Sequence, residues 1–147
     1  MTTILLSMGF AICQQKDSPT VSQEPASSIL DPSVNFVGTW KNDRGSTMTI
    51  TSSEKGIIRG YYHTAVGKPK SGEGFSLIGM VAGDQITFNV DYSAYGSLTT
   101  WAGQHTIEDG KEKIITMWYL TQNVKDADEP KKLWRGILSG SSVFHRI

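Results

Sequence analysis

Six uncharged hydrogen-bonding residues, Asn42, Ser46, Tyr62, Thr64, Thr99 and Ser142, fall in segments otherwise dominated by Ile, Val, Tyr and Trp. Along a strand, side chains alternate between two faces, so residues two apart point together. Trp40 shares a face with Asn42, Ser46 with Met48 and Ile50, and Ile58 with Gly60, Tyr62 and Thr64. Later stretches group Phe88, Val90 and Tyr92; Ser97, Thr99 and Trp101; Ile114, Thr116, Trp118 and Leu120; then Ser142 and Phe144. Each face is apolar toward one end and carries a hydroxyl, an amide or a ring toward the other, as a packed plug beneath a lined cup would require. Uncharged donors buried without partners cost about 1 to 3 kcal/mol each, so a ligand or ordered water has to satisfy them. Neutral polar groups at one end of a box walled by Tyr92, Trp101 and Trp118 suit a small neutral heterocycle. Any one of these residues alone would serve as ordinary filling; the set together points to a binding cup.

Other chemistries lack a comparable set. Glu108, Asp109 and the stretch Asp126 to Glu129 fall in predicted turns rather than as an inward pair, and no nucleophile has a base that can be placed beside it, so no enzyme is expected. His63, His105 and His145 stand apart without zinc spacing, and no metal or cofactor is expected. Fourteen Lys and Arg balance fourteen Asp and Glu, which leaves no basic footprint for nucleic acid. The single cysteine, Cys13, permits no internal disulfide.

These residues need elements to position them. Turn-forming clusters at Asn42 to Gly45, Ser53 to Gly56, Lys68 to Gly74, Ala82 to Asp84, Ser93 to Gly96, Glu108 to Gly110 and Asn123 to Lys132 divide the chain into eight short stretches rich in Thr, Ile, Val, Tyr and Trp. No segment repeats its apolar residues at helical spacing, and Pro69 and Pro130 fall in loops. The expectation is an all-β fold with almost no helix: an eight-stranded antiparallel up-and-down barrel, closed so that no edge is exposed. A barrel of that size is just wide enough to be filled by side chains or to hold one small ligand.

Residues 1–13 carry no charge, and Ile4 to Ile12 has the length of the hydrophobic part of a secretory signal, roughly 7 to 15 residues, although no Lys or Arg precedes it. The stretch is too short to span a bilayer. It is read as a candidate export signal, which makes the protein secreted or periplasmic. Cys13 followed by a polar tract fits a lipid anchor, the one route to a membrane partner; Ile12 before it favours a plain thiol. Residues 14–35 hold three of the five prolines among Ser, Gln and Asp and read as a flexible, disordered N-terminal linker. The folded domain is then 36–147.

The strings GTWKNDRGSTMTI (38–50), GYYHTAVG (60–67), TTWAGQ (99–104), TMWYL (116–120) and GSSVFHRI (140–147) resemble, in order, the avidin and streptavidin family of biotin-binding proteins. The resemblance implies the same up-and-down barrel and binding of biotin, unchanged, in its open end. It makes Asn42, Ser46 and Tyr62 donors to the ureido oxygen and Thr64 the acceptor from one ureido N–H. It also places Thr99 near the ring sulfur. Ser97 and the backbone at Val66, Gly67 and Lys68 match the region that holds the valerate carboxylate, while Tyr92, Trp101, Trp118 and Leu120 match the walls. Trp134 matches the residue that, in tetrameric relatives, crosses an interface to cover a neighbour's ligand. Dimeric relatives tend to lack it and carry a loop disulfide that this chain cannot form, so a homotetramer is expected; the alternative folds Trp134 onto its own barrel.

Three positions depart from the family. Tyr92 stands where the most familiar members have Trp, Ser142 replaces an Asp or Asn that accepts from the second ureido N–H, and the loop Gly67 to Gly74 has its own sequence. A shorter hydroxyl at 142 reaches through water, so binding is expected to be tight but weaker than in the strongest members. The runner-up is an extracellular carbohydrate-binding or adhesion module, which a row of rings on an outer face would favour. A lipocalin-like carrier of apolar ligands fits less well, because the cup has too many hydrogen-bonding groups.

Overall fold

The computed structural model describes residues 34–70 and 72–147. The readings of residues 1–13 as a signal, of Cys13 as an anchor and of most of the 14–35 linker lie outside these residues. Eight strands follow one another: β1 (Gly38–Asn42), β2 (Thr47–Glu54), β3 (Ile57–His63), β4 (Gly74–Ala82), β5 (Gln85–Tyr92), β6 (Ser97–Glu108), β7 (Lys111–Gln122) and β8 (Ile137–Arg146). Each pairs antiparallel with the next, and β8 returns to β1, with Trp40 opposite Arg146 and Asn42 opposite Phe144, so the sheet closes into a barrel. The chain reverses at all seven turn clusters.

Alternation sorts the side chains as the strand pattern requires. Trp40, Phe36, Phe88, Phe144, Met48, Ile50, Ile58, Leu77, Ile86 and Ile114 are fully buried and plug the lower half. The indole Nε1 of Trp40 donates to the Phe36 carbonyl at 3.0 Å, so the largest of these rings is buried with its polar atom satisfied. Strand β4, whose inward face the sequence pattern left unassigned, contributes Phe75 and Leu77. At Gly60 a Cβ would lie 1.9 Å from the Thr49 carbonyl oxygen; only glycine lets β3 approach β2 this closely beside the register shift at Ile50 to Ser52.

Two local readings are corrected. Pro130 lies in a single α-turn, Glu129–Lys132, rather than in a loop. A first-turn position suits its fixed φ and needs no N–H. Val34 packs against the core and the Asn35 carbonyl accepts from Arg146 Nη2 at 2.6 Å, so the folded unit takes in the end of the stretch read as linker.

Arg146 is the clasp of the closed end. Its Nη1 donates to the Val37 carbonyl at 3.0 Å, its Nε and Nη2 bond Glu112, and its guanidinium lies 4.1 Å from the Trp40 ring centroid. Glu112 also meets His105 Nε2 at 3.2 Å. The bond from Arg146 holds the Glu112 carboxyl below the usual carboxylate range, with His105 adding to the effect.

A candidate ligand cup at the open end of the barrel

Above the plug lies a cavity of about 280 Å³, near the lower end of the range for small-molecule sites. Asn42, Ser46, Tyr62, Thr64, Val66, Gly67, Lys68, Tyr92, Ser97, Thr99, Trp101, Trp118, Leu120 and Ser142 all line it. Trp134 does not; it sits on the 3₁₀ turn Leu133–Gly136 with 72% of its surface exposed, and so is not folded onto its own barrel.

The polar head is built by the turn between β1 and β2. Asn42 Oδ1 accepts from the backbone N–H groups of Arg44 (3.0 Å) and Ser46 (2.8 Å), which fixes the amide and aims Nδ2 at the Tyr62 hydroxyl 3.3 Å away. Ser46 Oγ accepts from the Ala65 N–H at 2.9 Å. The protein thus engages the oxygens of Asn42, Ser46 and Tyr62 as acceptors, and the hydrogens that remain, on one amide nitrogen and two hydroxyls, have the cavity to point to. Burial raises the Tyr62 and Tyr92 phenols above their ordinary value; at Tyr62 the polar side chains of Ser46 and Asn42 and the charge of Arg44 work against it. Both remain protonated at neutral pH, which keeps Tyr62 a donor.

Thr64 is arranged the opposite way. Its Oγ1 donates to the Val66 carbonyl at 2.7 Å and accepts from the Val66 N–H at 3.2 Å, leaving a lone pair as its capacity for a ligand. Three donors beside one acceptor complement a carbonyl flanked by N–H.

Rings form the walls. Phe88 stacks on Trp101 at 4.8 Å and 9°, Tyr62 lies 5.2 Å from Trp101, and Tyr92 stands edge-on to Tyr62 at 6.4 Å. Trp118 Nε1 donates to the Ser141 carbonyl at 3.2 Å. Trp101 Nε1 has no partner, the one such buried side-chain atom among the described residues. Ser142, which lines the same cavity from β8, is buried, with its carbonyl accepting from Thr116 Oγ1 at 2.8 Å.

Five lining residues escaped the sequence reading: Arg44, Pro69, Tyr95, Gln122 and Leu138. Leu138 and Gln122 continue the inward alternation of Ser142 and Leu120 and could have been found by extending it. Arg44, Pro69 and Tyr95 lie in turns, where no period applies. Tyr95 Oη donates to Glu73 Oε2 at 2.5 Å, joining the β5–β6 turn to the β3–β4 loop across the rim.

The comparison with known proteins agrees with this geometry. The model of the Avidin family matches residues 31–147. The chain belongs to the avidin family. Avidin of Gallus gallus is 31% identical over 123 residues, covering 77% of this chain and 78% of that protein. The crystal structure of Xenavidin superposes on this avidin-family barrel with a TM-score of 0.68 at 30% identity, covering 78% of this chain and 99% of the other. The rhizavidin-biotin complex gives a TM-score of 0.64 at 26% identity, covering 78% and 97%.

Proposed function

We propose that this avidin-family chain binds biotin non-covalently in the open end of its barrel and leaves it chemically unchanged. One observation carries the reading: Asn42, Ser46 and Tyr62 line one cavity with their oxygens already accepting from the protein, which leaves their hydrogens as the capacity to meet a ligand's carbonyl oxygen. In a low-dielectric cup each such bond is stronger than in water. Thr64 takes one flanking N–H, Ser142 the other through water, Thr99 lies by the ring sulfur, and Tyr92, Trp101, Trp118 and Leu120 enclose the apolar body. Ser97 and the loop at Val66 to Lys68 receive the acid tail. Titration calorimetry with biotin tests this: one equivalent per chain with a raised thermal midpoint is expected, since a ligand selective for the native state stabilises it; no heat and no shift would refute it.

The carbohydrate alternative gains no support. Among the described residues the exposed tyrosines Tyr61 and Tyr119 stand on β3 and β7, which are not neighbours, and make no outer row of rings.

The assembly we propose is a homotetramer. Ile115, Met117 and Tyr119 on the outer face of β7 are each more than half exposed and are flanked by Gln104, Ala102 and Thr100 on β6 and by Val143, Ser141 and Ser139 on β8. An exposed apolar stripe bordered mostly by small side chains suits a partner surface. Trp134, exposed near the mouth side, supplies the part that covers a neighbouring cup. Export to the periplasm or medium, with a lipid anchor at Cys13 as the alternative, rests on the run Ile4 to Ile12.

A further inference from the structure

The charged side chains lining the cup are Arg44 and Lys68, both cationic. The acids nearest the rim, Asp43 and Glu73, do not line it, and Glu73 accepts the Tyr95 hydroxyl at 2.5 Å. Among the described residues neither Arg44 nor Lys68 meets a carboxylate within salt-bridge distance. Arg44 is exposed on the β1–β2 turn while lining the cup, and it is held in place. Its backbone N–H is fixed on Asn42 Oδ1 at 3.0 Å, and its guanidinium lies over the Trp118 ring, 5.6 Å from the centroid. A guanidinium resting on an indole keeps its hydrogens at the plane's edge, free to meet an anion, and it is held without a competing carboxylate.

We propose that Arg44 is a charge-specificity residue of this cup: it favours a ligand whose tail ends in a free carboxylate over the same ligand with that tail made neutral. This deepens the biotin reading and rests on it. The contribution has two parts. A fixed positive charge at the entrance steers an anion inward, and an exposed rim charge acts chiefly on the association rate and on its salt dependence. Once the ligand is seated, attraction across a partly wet rim adds affinity for the acid and none for the amide. Screened by solvent at the rim, that attraction is worth roughly three- to tenfold in selectivity.

The test compares biotin with biotin carboxamide, using association and dissociation rates measured at low and high salt on the full chain, its Arg44→Gln variant and its Arg44→Lys variant. The expected result is that the unaltered chain takes up the acid faster than the amide at low salt, with the gap closing at high salt. Arg44→Gln should lower the acid-to-amide affinity ratio by roughly three- to tenfold, and Arg44→Lys should restore part of it. If acid and amide weaken together in Arg44→Gln, the side chain serves packing alone and the proposal is overturned. An unaltered chain that binds both equally well overturns it too, while leaving the biotin reading standing. If the unaltered chain binds neither, the biotin reading itself fails and this inference falls with it.

Discussion

A Cβ on Gly140 would lie 2.4 Å from Cζ2 of Trp118, the residue paired with it across β7 and β8. The missing side chain on β8 is the space into which the ring of β7 lies. Gly140→Ala is therefore a remote edit of the cup's wall. The ring must move, overpacking of this kind costs about 1 to 3 kcal/mol, and biotin is expected to dissociate roughly tenfold faster, read by chasing labelled with unlabelled biotin. Unchanged dissociation would mean that the ring has slack that the structure does not show.

Trp118→Ala removes the wall outright. An indole buries roughly 150 to 250 Å², and loss of even half that contact with the ligand raises the dissociation rate on the order of a hundredfold. The same chase measures it, and an effect smaller than that of Gly140→Ala would place the ring outside the site.

Ser142→Asp is expected to tighten binding. Ser142 lines the cup with a short hydroxyl, and a carboxylate there reaches farther toward the ligand's second N–H and accepts from it in a charge-assisted bond. Competition calorimetry reads the change; weaker binding would show that the short hydroxyl and its water are preferred here.

Trp134→Lys should speed ligand loss only if a second copy borrows the ring. Light scattering coupled to size exclusion is expected to give four chains for the unaltered protein. A monomer that releases biotin at the same rate with and without Trp134 would remove the ring from the site altogether.

Acid should loosen the closed end. The Glu112 carboxyl is lowered from 4.5 by Arg146 first and then by His105, so its contribution to stability is complete above that value and is lost as pH falls through the lower folded value. Denaturant midpoints measured across this acid range should fall for the parent chain and change less steeply for Glu112→Gln, which keeps a hydrogen-bonding group but not the charge.

How much of this was legible beforehand depends on periodicity. Asn42, Tyr62, Thr99, Trp101 and Ser142 sit on strands, where alternation dictates which way each points, and the structure places all of them in one cup. Arg44 and Tyr95 sit where the chain turns; there, direction is set by individual bonds such as Arg44 N–H to Asn42 Oδ1, which leave no repeating trace in the sequence. Arg146 was invisible for another reason. Its partners Asn35, Val37 and Glu112 are distant in the chain and meet only when β8 closes against β1.

That closure decides how the molecule can be mounted. Val37 leads into β1 and Ile147 leaves β8 at the plugged base, where the Ile147 N–H donates to the Thr39 carbonyl at 3.0 Å. A reporter, a second protein or a solid support joined ahead of Val34 or after Ile147 starts from beneath the cylinder, and the entrance lies at the other end.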